Sequence, residues 1–153
     1  RLCIMKKYAV LFLSLIFLAS CSSDDDFGLA STQFVFSEQK WELVQMSGSF
    51  QNSETTGEEM EWQEYYIFSP EGTFLKSRTI DGLIFEATGS FEVIEYDDDA
   101  NHYLELTFET GKELAGNCTG DAKELLMYRT STMISSLWIA CDGPGLDYSL
   151  SKN

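Results

Sequence analysis

Histidine, cysteine and positive charge are all scarce in this chain. Its 153 residues hold one His, four Cys and 10 Lys+Arg against 25 Asp+Glu, a formal net charge of −15. The shortage of Lys and Arg argues against nucleic acid as a partner, because that binding rests on clustered cations that neutralise phosphates. No basic stripe or basic amphipathic helix is present, nor any Gly-rich phosphate loop. His102 is the sole imidazole and follows Asn101 at a hairpin end. No Gly-x-Ser-x-Gly elbow accompanies it, so Ser-His-Asp catalysis has no support. Carboxylates such as Glu58, Glu59, Glu61 and Glu64 are too abundant to mark a catalytic pair. Asp97, Asp99 and Asn101 imitate half a calcium loop, but His102 stands where a Gly is needed and Phe108 where the closing acid is needed. No enzyme, metal centre or cofactor is expected. Apolar material, by contrast, is plentiful: 11 Phe, 7 Tyr and 3 Trp supply enough area for one folded domain.

The first residues read as a leader. Met5-Lys6-Lys7 forms a basic start, and Tyr8 to Ala19 is an apolar run too short for a permanent span. The predicted divisions are a signal peptide over 1–20, with 1–4 as an upstream extension, an acidic tether over 21–37, and a folded domain over 38–153. Cleavage discards Arg1, Lys6 and Lys7 and no acid, so the mature chain is three units more negative than −15. Leu18-Ala19-Ser20-Cys21 resembles the bacterial lipobox, which implies lipidation at Cys21. Cys21-Ser22-Ser23-Asp24-Asp25-Asp26 is similar to the post-cysteine tag of Bacteroidota lipoproteins. That resemblance implies a lipid anchor in the bacterial outer membrane, facing outward. An ordinary solvated tether is the plainer reading of the same segment.

Cys118 and Cys141 are then the pair left beyond the inner membrane, where thiols oxidise, and a disulfide between them is expected. A zinc or redox role is the alternative, with no His nearby to complete a ligand set.

From Gln39 onward, runs rich in aromatic and β-branched residues alternate with turn residues, as in an all-β sandwich or barrel. Eight strands are predicted: Gln39–Met46, Glu61–Phe68, Thr73–Ile80, Leu83–Glu95, His102–Phe108, Lys123–Arg129, Met133–Cys141 and Leu146–Ser151. Segments 47–59 and 111–121 read as long loops, the second holding Cys118. Two turns set registers. Asp81-Gly82 predicts a two-residue type I′ hairpin pairing 80 with 83 and 78 with 85. Ser69 to Thr73 predicts a type I turn with Gly72 left-handed, pairing 68 with 74 and 66 with 76. Strict alternation then turns Trp62, Glu64, Tyr66, Phe68, Phe74, Lys76, Arg78, Ile80, Leu83 and Phe85 to one face, the more apolar one.

Glu64, Lys76 and Arg78 therefore point inward, a costly place for charge unless it is paired or hydrated. Two readings stand. Glu64, Tyr66, Lys76, Arg78 and Phe85 are either a polar anchor in a ligand cavity, or an internal salt bridge in a filled barrel.

Order and content of the runs resemble the lipocalin superfamily, and more narrowly the lipocalin-like domains of Bacteroidota lipoproteins, over residues 38–152. The residues that carry this are Lys40-Trp41-Glu42-Leu43-Val44, Tyr66 to Phe74, Gly89-Ser90-Phe91, and Cys141 to Tyr148. Gln39 replaces the Gly of the family's Gly-x-Trp signature. The resemblance implies an antiparallel up-and-down β-barrel of about eight strands, one small hydrophobic or amphipathic ligand inside, and Trp41 as the plug of the closed end. The remaining expectation is a non-catalytic structural lipoprotein with an envelope-protein partner.

Overall fold

The computed structural model describes residues 37–151. The expected leader, Cys21 and most of the acidic tether lie outside the described residues. Eight strands close into one antiparallel up-and-down barrel. They are β1 (Gln39–Ser47), β2 (Gln63–Phe68), β3 (Thr73–Ile80), β4 (Leu83–Glu95), β5 (His102–Thr110), β6 (Lys123–Thr130), β7 (Met133–Ser136) and β8 (Gly145–Leu150). Each pairs with the next, and β8 pairs with β1 to complete the ring. The all-β barrel expected from the sequence is therefore the fold, an architecture compatible with the lipocalin-like resemblance.

Turn chemistry sets the registers as predicted. Asp81 and Gly82 both take positive φ, 51° and 78°, the requirement of a type I′ turn that Gly meets without a Cβ clash. Ile80 faces Leu83 and Arg78 faces Phe85. In the preceding turn Gly72 is left-handed, and Phe68 faces Phe74 while Tyr66 faces Lys76.

One strand is shorter than its composition suggests. The run expected as Met133–Cys141 is strand only to Ser136, and Trp138–Cys141 is a 3-10 turn. The chain bends at Leu137 (φ −87°, ψ 5°), which brings Cys141 to Cys118. Local β-preference gives way there to a tertiary crosslink. The two loops also hold short 3-10 turns, Gly57–Glu59 and Lys112–Leu114.

Period-two alternation fills the lumen. Trp41, Tyr66, Phe68, Phe108, Leu126, Tyr128, Ile134 and Tyr148 are all buried inside. Each such side chain contributes roughly 1.5–3 kcal/mol of hydrophobic free energy. Tyr66 lies 5.5 Å from Phe68 on its own strand and 5.1 Å from Tyr148 on β8, centroid to centroid, so ring contacts run along and across the lumen.

Candidate functional site

At the barrel end closed over by loops 48–62 and 111–122, the alternation that packs aromatics also delivers four charges inward. Glu64 is the register partner of Arg78 across β2 and β3, and Tyr66 that of Lys76. From the far side of the ring, β6 contributes Glu124 and β8 contributes Tyr148. All six side chains are buried.

The groups satisfy one another. Lys76 Nζ donates to Glu124 Oε2 at 2.9 Å and to the Leu114 carbonyl at 2.8 Å, and lies 3.3 Å from Glu64 Oε1. Tyr66 donates its hydroxyl proton to Glu124 Oε1 at 2.9 Å, while the Gly116 N–H donates to Glu124 Oε2 at 3.0 Å. Glu64 accepts from Arg78 Nε through one oxygen and from the Tyr148 hydroxyl at 2.5 Å through the other. Two carboxylates and two cations make the cluster formally neutral, the condition under which buried charge is tolerated.

Burial pushes the Tyr66 and Tyr148 hydroxyls well above the usual phenol range, and the carboxylates Glu124 and Glu64 push the same way. Both phenols are therefore proton donors at neutral pH. Burial alone would lower Arg78, but the charge and hydrogen bond of Glu64 outweigh it, and the guanidinium is held above its ordinary range.

Two donors at the edge of this network have no acceptor. Arg78 Nη2 and Trp62 Nε1 are both buried without a hydrogen-bond partner. They are neighbours, for the guanidinium stacks on the Trp62 ring at 4.4 Å. An unmet buried donor costs about 1–3 kcal/mol, so a pair of them favours any group that brings an oxygen. Beside Arg78 the hairpin of β3 and β4 turns apolar and wet: Phe85 is 41% exposed and Leu83 64%. On the other side, β1 and β2 part company after Glu42 and Tyr65. That parting leaves a cleft of about 330 Å³ lined by Leu43, Val44, Gln63, Glu64 and Thr79.

The residues singled out in the sequence fall into three groups. Glu64, Tyr66, Lys76 and Arg78 come together in the buried network, and Phe85 lies at its solvent edge opposite Arg78. Trp41 sits inside near the opposite end, where its indole N–H donates to Gln39 Oε1 at 3.2 Å. Cys118 and Cys141 are joined, their Cα atoms 5.5 Å apart. Glu124 and Tyr148 were missed. The signal for Glu124 was present, because two inward cations need a second inward acid, and 124 shares parity with Leu126 and Tyr128.

No family model, curated protein or solved structure matches this chain.

Proposed function

We propose that this chain is a lipid-anchored, outward-facing protein of the bacterial outer membrane that binds a small amphipathic molecule at the loop-covered end of its barrel. The role is binding rather than catalysis. One observation carries the binding: Arg78 Nη2 and Trp62 Nε1 are adjacent buried donors with no acceptor, next to the exposed apolar residues Leu83 and Phe85. A ligand with an oxygen-bearing neutral head and an apolar body satisfies both features. The polar head sits against Arg78 and Trp62, and the body lies along the hairpin.

The anchoring rests on the sequence at 18–26, the apolar leader followed by Cys21 and three Asp. Replacing Cys21 by Ala is expected to move the protein from the membrane to the soluble fraction. Continued sedimentation with membranes would remove the anchor from the proposal.

For the ligand, the mature chain labelled at its indole nitrogens is titrated with methyl decanoate. The Trp62 N–H resonance should shift, and Trp62→Phe, which keeps the stack but removes the donor, should weaken binding several-fold. Phe85→Ala should weaken it about tenfold, the effect of losing one well-buried apolar contact. The filled interior, with Trp41, Tyr66, Tyr128 and Tyr148 occupying the lumen, favours a second reading, a packed structural module that meets another envelope protein. Absence of any shift at Trp62, together with no small molecule retained in native mass spectrometry, selects that second reading and rejects the first.

A further inference from the structure

A second concavity lies against the outer wall of the barrel and reaches Glu124, whose carboxylate is already held by Lys76, Tyr66 and the Gly116 N–H. Loop 111–122 lies over β6 and is tied by Cys118–Cys141 to the 3-10 turn Trp138–Cys141. Between them is a pocket of about 350 Å³, within the range of small-molecule sites. Its walls are Leu125, Leu137, Trp138 and Ala140, and Cys118 closes one side. Leu125 stands between the buried residues Glu124 and Leu126, so alternation turns it outward, into the pocket wall.

Trp138 is fixed as part of that wall. A Cβ at Gly116 would stand 2.8 Å from its ring, and one at Gly143 would overlap it. Only two glycines let the indole lie where it does, and the wall is consequently preformed.

Charge decides what the pocket takes. At its rim Glu105 and Asp121 flank Lys123, whose ammonium is bound to Glu105 Oε1 at 2.5 Å. Of the six cations within residues 37–151, Lys76 and Arg78 are buried against Glu64 and Glu124. That leaves Lys40, Lys112, Lys123 and Arg129 on an outer surface with twenty Asp and Glu. A field of that sign concentrates cations near the surface and repels anions.

We propose that this pocket is a binding site for a small hydrophobic cation, an ammonium carried on a ring or short apolar body, and that the Cys118–Cys141 disulfide gives the site its shape. The apolar body is enclosed by Leu125, Leu137 and Trp138, and the ammonium faces Glu105 and Asp121. An anion of the same outline meets the same walls but an opposing field, so the sign of the ligand's charge sets selectivity.

The test uses the oxidised mature chain with labelled indoles and two probes, benzyltrimethylammonium and 3-phenylpropionate. The cation should shift the Trp138 N–H and leave Trp41 and Trp62 in place, with affinity about tenfold or more above that of the anion at low salt. Leu125→Arg, an outward-facing change that fills the pocket and cancels the net negative charge of its rim, should abolish the shift. The paired variant Cys118→Ser/Cys141→Ser should weaken binding about tenfold while keeping the barrel's circular dichroism. Equal affinity for both probes, a response at Trp62 instead of Trp138, or unchanged binding by Leu125→Arg would overturn the proposal. Because the two sites report through different tryptophans, failure here leaves the Trp62 experiment unaffected.

Discussion

Lys76→Met is expected to destabilise the barrel by about 3–5 kcal/mol, the cost of leaving buried charge without its partner. The ammonium is fully buried, and three acceptors converge on it: Glu124, Glu64 and the Leu114 carbonyl. Methionine fills much of the same volume, so lost packing contributes little. What remains is two carboxylates sharing Arg78 alone, in a region from which water is excluded. Domains of this size are stable by roughly 5–15 kcal/mol, so the loss should be obvious in a urea titration. Adding Glu124→Gln to Lys76→Met restores neutrality and keeps an amide oxygen for the Tyr66 hydroxyl. The pair should recover about half of the loss or more, a coupling that additive sites do not show. A loss below about 1 kcal/mol for Lys76→Met, the level of exposed ion pairs, would mean that the cluster is hydrated rather than dry.

Raising the pH should unfold the protein steeply above about pH 10, the range in which free phenols ionise. Burial raises Tyr66, Tyr148 and Tyr128, and for the first two nearby carboxylates add to the effect. Below that range both folded and unfolded chains keep these protons, and the contribution to stability is constant. Above it the unfolded chain releases protons that the folded chain retains, so stability falls as pH rises. Each group costs about 1.4 kcal/mol per pH unit, and three together about 4 kcal/mol per pH unit. Phenolate absorbance from Tyr66, Tyr128 and Tyr148 should accordingly appear only as circular dichroism is lost. Ionisation of these three with native ellipticity intact would contradict the buried placement.

Much of this site can be read from the sequence wherever a tight turn pins two strands together. Asp81-Gly82 and the turn at Gly72 have few alternative geometries, and parity then carries Glu64, Lys76 and Arg78 to the inside without further information. Parity is lost across long connections. Glu124 follows loop 111–122 and Tyr148 follows the segment from Leu137 to Pro144, where no short hairpin fixes the register. The strand expected through Cys141 ends at Ser136 because a disulfide partner, invisible to local propensity, turns the chain. Alternation also assigns a face and not a volume. That Trp41, Tyr66, Tyr128 and Tyr148 meet across the lumen follows from the barrel's circumference, a property of all eight strands together.

Closure of the ring by β1 and β8 has a kinetic side. Trp41 pairs with Leu150 and Leu43 with Tyr148, contacts between opposite ends of the folded region, and such long-range contacts slow folding. Tyr148 also supplies the second donor to Glu64, so the ionic cluster stays incomplete until the last strand docks. Up to that moment β1 and β7 present open edges, the arrangement that invites pairing between chains. A chain truncated before β8 should therefore be recovered as aggregate rather than as a smaller barrel.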